Sequence, residues 1–197
     1  MGQKKTMINI YDKITADSIL FFDMDGTLVD TNYANFLSYK KAIELVIKSN
    51  LHINYIHTQR FNRSLLKIAI PNLTEKELAM IISEKEKCYD DFLPETQLNN
   101  EISEILDRYC ATNKTVLVTN SRKDRALAIL NYHGLTDKFS NFFFRQFGKE
   151  NEKINKFQNA ISCLGISPKL VIAFENEKNE IADAQKAGIL IINSINL

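Results

Sequence analysis

Ile19-Leu20-Phe21-Phe22-Asp23-Met24-Asp25-Gly26-Thr27-Leu28-Val29-Asp30 is the stretch on which the fold turns. Four apolar residues end on two carboxylates two positions apart, and a glycine then turns the chain away. A short apolar run without polar alternation reads as a strand buried on both faces, as in a parallel sheet covered by helices. In open α/β sheets, ligands bind beyond the carboxyl ends of such strands. Side chains alternate along a strand, so Asp23 and Asp25 can share one edge there. Two acids so close repel unless a cation or a shared proton sits between them. The pair supports a nucleophilic carboxylate beside a second carboxyl that donates and accepts protons. An acidic turn would account for Asp25 and Gly26, but not for Asp23 or Thr27.

Outward from this stretch, residues 116–118, 171–174 and 189–192 read as further strands, and 142–144 as a fifth. Helical periods lie between the later ones. Leu127 and Leu130 lead to His133 before Gly134, a C-terminal signal. Ile154, Phe157, Ile161 and Leu164 precede Gly165, and Ile181, Ala184 and Gln185 precede Gly188. The alternation breaks from Thr31 to Pro94, which reads as three successive helices. Phe36, Tyr39, Ile43 and Val46/Ile47 mark the first, residues 55–69 the second, and the capping-box pattern Thr74-Glu75-Lys76-Glu77 opens the third. The expected fold is α/β, a Rossmann-like parallel sheet with helices on both faces, carrying an inserted all-helical cap. Residues 1–31 and 95–197 form the core in this reading, and 32–94 the cap.

At 197 residues the chain fits one domain with an insertion, and 25 basic against 24 acidic side chains give a net charge of +1. That balance offers no electrostatic case for nucleic acid or a membrane surface as partner. No run approaches the roughly 20 apolar residues a membrane span needs, and the first 18 residues lack the apolar segment of a signal peptide. Cys88, Cys110 and Cys163 are an odd number at wide spacing, which fits reduced thiols and a cytoplasmic protein.

The Asp23-to-Thr27 motif resembles D-x-D-G-T of the haloacid dehalogenase superfamily, whose members are mostly Mg²⁺-dependent phosphatases. Val116-Leu117-Val118-Thr119-Asn120-Ser121 is similar to that family's second motif, a strand ending in a hydroxyl that holds the phosphoryl group. Arg122, Ala126, Leu130, Gly134-Leu135 and Phe139 continue the likeness toward the phosphoglycolate phosphatase and β-phosphoglucomutase branch. The helical insertion between the motifs matches that branch's cap. The resemblance implies an attack by Asp23 on phosphorus to form an aspartyl-phosphate, with Asp25 as general acid and base. Gly26, Thr27, Asn120 and Arg122 would then serve the substrate.

The family's third element is a lysine near a helix start. Lys149, Lys153 and Lys156 compete; Lys153, twelve residues before Gly165, is favoured, and the other two read as a solvated helix face. The fourth motif departs from the pattern. Asn176 stands where the family carries a metal-binding Asp, so either Glu175 or Glu180 completes a Mg²⁺ site with Asp23 and Asp25, or Asn176 does so with weaker affinity, or catalysis is reduced; the first two are favoured. The implied activity is hydrolysis of a small soluble phosphate monoester. A phosphomutase and a weakened phosphate-binding regulator are the alternatives, and Asn176 is the feature that recommends the second. His52, His57, Arg60 and Arg63 lie in the cap; the resemblance implies that this region can face the substrate, with His52, Arg60 or Arg63 recognising its leaving group, but ordinary surface polarity is the preferred reading. His133 reads as helix-terminal, and Cys88 and Cys110 as core.

Overall fold

The computed structural model describes residues 10–48, 53–148 and 153–194. In chain order the elements are β1 (Ile19–Phe22), β2 (Val29–Asp30), α1 (Asn32–Ile47), α2 (Arg63–Ala69) and α3 (Glu75–Lys87). After them come β3 (Gln97–Leu98), α4 (Asn100–Tyr109), β4 (Lys114–Val118), α5 (Lys123–Tyr132) and β5 (Asn141–Phe143). The chain closes with α6 (Lys156–Leu164), β6 (Val171–Glu175), α7 (Lys178–Lys186) and β7 (Ile191–Ser194).

β5, β4, β1, β6 and β7 lie side by side in that order, every neighbouring pair parallel, with β1 in the centre. The uninterrupted apolar run of β1 has its reason here, because alternate residues enter two different cores. Leu20 and Phe22 pack with Leu117, Phe174 and the apolar sides of α4 and α5. Ile19 and Phe21 pack with Val116, Ala173 and residues of α6 and α7. Phe22 stacks on Phe174 at 4.6 Å, a contact worth about 0.5–1.5 kcal/mol beyond its burial.

α1, α2 and α3 enclose a third apolar cluster of their own, built from Phe36, Tyr39 and Ile43 with Leu66, Leu78 and Ile81. The capping box at α3 forms as its sequence pattern predicts: Glu77 N–H donates to Thr74 Oγ1 at 3.2 Å and Thr74 N–H to Glu77 Oε2 at 2.9 Å. His133 is the C-terminal cap of α5, followed by Gly134 at φ +67°. Cys88 is buried, and Cys110 packs partly buried against the first core.

Several expectations shift. The second cap helix is shorter than residues 55–69: the backbone from 55 to 62 is irregular, and Asn62 caps α2 by accepting from the N–H groups of Ser64 and Leu65. The end of the stretch read as helix up to Pro94 is instead a 3₁₀ segment, Tyr89–Glu95. The last strand is β7, two residues later than 189–192, because Gly188 at φ +88° turns the chain first. β2 and β3 pair antiparallel, Val29 with Leu98 and Asp30 with Gln97, so the chain entering the helical group is stitched to the chain leaving it. Two-residue strands carry no period to read.

Candidate active site

The parallel register sets the site. β1 and β6 run level, Phe22 beside Phe174, and Asp23 follows one residue beyond Phe22 with its N–H on the Phe174 carbonyl at 3.1 Å. β4 ends at Val118, which places Thr119 at the same edge. Asp23, Asp25, Thr119 and Asn120 thus meet in one cavity of about 180 Å³, together with Lys156, Glu175, Glu180, Ser121, Arg60 and Arg125.

The lysine beside Asp23 is Lys156 rather than the favoured Lys153. It is the first residue of α6 and is buried, with Nζ 2.6 Å from Asp23 Oδ1 and 2.7 Å from Glu175 Oε2. The side chain of Asn155 accepts from the N–H groups of Phe157 and Gln158 and donates to the Asp183 carbonyl, which fixes where the helix starts. Lys153 lies outside the helix, half exposed, and its ammonium is taken by Glu180. Lys149 lies outside the described residues. The spacing back from Gly165 favours Lys153, whereas α6 starts only at Lys156. The signal that finds Lys156 is Asn155, a preferred N-cap residue.

Burial pushes the Asp23 carboxyl up, Lys156 pulls it down, and Glu175 and Asp25 push it up again; the outcome is about 8. Burial works against the Lys156 ammonium, but Asp23 and Glu175 hold it above its ordinary value. One ammonium between two buried carboxylates leaves a negative charge unbalanced, so the site holds either a proton or a second cation.

Asp25 faces the opposite problem. Its Oδ1 accepts from Thr31 Oγ1 at 2.6 Å and from Arg60 Nη2 at 2.9 Å, and its Oδ2 accepts from the Ser121 hydroxyl. Arg125 Nη2 lies 3.7 Å from Oδ2 and donates to Ser121 Oγ at 2.5 Å. Burial alone would raise this carboxyl, but Arg60 and Arg125, with the two hydroxyls, hold it well below the usual carboxylate range. Arg60 therefore does more than decorate the surface of the helical insertion: it joins that insertion to Asp25. Arg125 carries no motif signal; its position four residues after Ser121 puts both on one face of the turn opening α5.

The remaining candidates fall in different places. Gly26, at φ +79°, closes the turn after Asp25, and Thr27 Oγ1 donates to Asn176 Oδ1 at 3.1 Å. Thr119 is buried, its hydroxyl accepting from the Ser121 N–H at 3.1 Å. Asn120 Nδ2 donates to Glu180 Oε2 at 2.8 Å. Arg122 is not brought into the cavity; it is exposed and forks onto Asp124. His57 is exposed, and His52 lies outside the described residues.

Among the described residues no three His, Cys, Asp or Glu side chains are grouped to hold a metal. Glu175 has both oxygens engaged, Oε2 by Lys156 and Oε1 by the N–H groups of Asn176 and Glu177. Glu180 is likewise taken by Lys153 and Asn120. Asp23 keeps one oxygen free of Lys156, and Asn176 presents a carbonyl that, among the described residues, accepts from Thr27 alone. These are hard oxygen donors beside unbalanced negative charge, and Mg²⁺ is held by one or two carboxylates with water or phosphate completing its shell. The residues fit such an ion.

A model of the haloacid dehalogenase-like hydrolases matches residues 18–188. The chain belongs to this hydrolase family. No curated protein matches it in sequence. Solved structures share the fold at low identity. A predicted phosphoglycolate phosphatase from Haemophilus somnus is 23% identical with a TM-score of 0.73, over 89% of this chain and 84% of that one. CbbY from Rhodobacter sphaeroides in complex with phosphate is 17% identical with a TM-score of 0.70, over 91% and 87%. A haloacid dehalogenase-like family hydrolase from Streptococcus pneumoniae is 16% identical with a TM-score of 0.71, over 93% and 86%. No described helix of this family member is long and apolar enough to cross a membrane.

Proposed function

We propose that this hydrolase is a Mg²⁺-dependent phosphatase acting on a small soluble phosphate monoester, with residues 32–94 as a cap over the site. The observation that carries the reading is Lys156. A buried ammonium at 2.6 Å from the carboxylate at the end of the central strand leaves one Asp23 oxygen free to attack and places positive charge beside the transferring group.

Asp23 attacks phosphorus in line and forms an aspartyl-phosphate, and the leaving alkoxide takes a proton from Asp25. Water then attacks the phosphorus, giving its proton to Asp25, and the P–O bond to Asp23 breaks, releasing phosphate and the Asp23 carboxylate. As it stands, Asp25 is ionised and ready for the second step. For the first step it must carry a proton, and an anionic substrate drawing Arg60 and Arg125 onto itself releases the carboxyl to do so. Thr119 and Lys156 hold the phosphoryl oxygens. Mg²⁺, held by Asp23, the Asp25 backbone carbonyl and Asn176, would add positive charge on the transferring oxygens. The three free thiols agree with a reducing, cytoplasmic setting.

The test is phosphate release from a broad panel of phosphate esters, with and without Mg²⁺, beside Asp23→Asn. Release should depend on Mg²⁺ and fall by at least about 10³-fold in the variant. Isomerised sugar phosphate without release would mark a mutase. Wild type as inactive as Asp23→Asn throughout would leave a phosphate-binding protein, the reading that Asn176 favours.

A further inference from the structure

A second cavity, of about 360 Å³, opens between the helical insertion and α5, beside the site of Asp23. Its charged walls, among the described residues, are Arg60, Arg63, Arg125, Arg145, Lys85 and one carboxylate, Glu86. Lys85 stands apart from the arginines, because the chemistry at Asp23 gives it no task. It lies in the last turn of α3 with its side chain 3% exposed, and Nζ is 3.3 Å from Glu86 Oε1. Its other neighbours are the Tyr39 and Tyr89 rings, centred 5.4 and 5.0 Å away. The Arg125 guanidinium is 5.3 Å from the centre of the same Tyr89 ring, so two cations crowd one aromatic group.

A lysine so placed is a nucleophile rather than a point charge. Burial, and then Arg125, push its pKa down to about 8, against the pull of Glu86. At pH 7 about one such amine in ten is neutral, compared with about one in three thousand for an ordinary lysine. The surroundings select what it reacts with. An electrophile that leaves an anionic product gives the arginines a counter-charge, and two oxygens on one carbon match the N–H groups of a guanidinium. Arg125 Nε is buried with no hydrogen-bond partner, a donor free for such an oxygen. Carbon dioxide is the small electrophile that meets these conditions.

We propose that Lys85 is a carbamylation site: its neutral amine adds to carbon dioxide, and the carbamate stands among the arginines of the cavity. The Nζ lone pair forms the N–C bond, one C=O electron pair moves onto oxygen, and a proton leaves Nζ for Glu86 and then solvent. The remaining N–H donates to Glu86, while the two oxygens accept from Arg125 and its neighbours. The charged walls change from five positive groups against one negative to four against two. Lys85 belongs to the helical insertion and Arg125 to α5, so the modification clasps one to the other. None of this depends on the reaction at Asp23.

The purified full chain in ¹³C-bicarbonate at pH 8 should show a carbamate carbonyl resonance by ¹³C NMR that Lys85→Met lacks. Alkylation with triethyloxonium ion should trap the group as an ethyl carbamate, which peptide mass spectrometry places on Lys85. Lys85→Met removes a buried charge and keeps the apolar stem, so it folds and serves as the blank. Occupancy should fall at least threefold in Arg125→Gln. Identical spectra from wild type and Lys85→Met, with no ethyl carbamate on Lys85, overturn the proposal even if bicarbonate binds intact or phosphate esters are hydrolysed. A carbamate on Lys85 that Arg125→Gln leaves at full occupancy overturns the part assigned to the arginine.

Discussion

Replacing Lys85 by methionine takes a charge from a place where only 3% of the side chain is exposed and leaves a stem of similar length to fill the space. A lysine whose pKa falls from 10.5 to about 8 on folding holds its charge at a cost of about 3 kcal/mol at neutral pH. The Tyr39 and Tyr89 rings return about 0.5–1 kcal/mol each, so Lys85→Met should stabilise the fold by about 1–2 kcal/mol at pH 7. For a chain of this size that is a Tm higher by roughly 2–8 °C. The folded pKa lies below the unfolded one, so between about pH 8 and 10.5 the unfolded chain binds the extra proton. Wild-type stability therefore gains from this group as pH rises through that window, and its gap to the variant closes. Urea denaturation of both proteins at pH 7, 8.5 and 10 measures the gap directly. A variant less stable at pH 7, or a gap that does not shrink with pH, would refute the claim that Lys85 is held at a cost in stability.

Lys156→Met should be destabilising by about 3–5 kcal/mol in urea, because it leaves Asp23 and Glu175 buried together without their ammonium. Gly26→Ala should lower stability by about 1–3 kcal/mol in the same assay: the residue sits at φ +79°, and a Cβ there would lie 2.4 Å from Asn176 Nδ2. Arg60→Gln should raise the Asp25 pKa toward its ordinary value. Because Asp25 is held low in the folded state, its contribution is present above pH 3.8 and fades as pH falls further, so the variant should lose more stability at pH 7 than at pH 3. Denaturation at the two pH values checks it.

How much could be read in advance varies with the physics of each element. The central strand was legible because burial on both faces leaves an unbroken apolar run, and α3 because its capping box lies within four residues. The β2–β3 ribbon was not, since its two-residue strands find each other across 66 intervening residues. Asn62 ends the irregular stretch that the apolar spacing reads as helix, because its side chain competes for the first N–H groups of α2. Within the site, Asp23 and Asp25 stand on one short motif, whereas Lys156 depended on a helix start that Asn155 sets and that a count back from Gly165 does not locate.

The sequence by itself determined the class of fold, the strand that ends in two carboxylates and the family those residues resemble. These are local facts, written in alternation, spacing and turn chemistry. Only the tertiary structure decided the charges each carboxylate meets. Asp23 shares Lys156 with Glu175 across 133 and 19 residues of sequence separation from that lysine, and Asp25 is held by Arg60 from one side and Arg125 from the other. Electrostatic energy depends on distance and burial in space, and neither is encoded in separation along the chain. A net charge of +1 is therefore compatible with one site short of positive charge and, beside it, a cavity with too much.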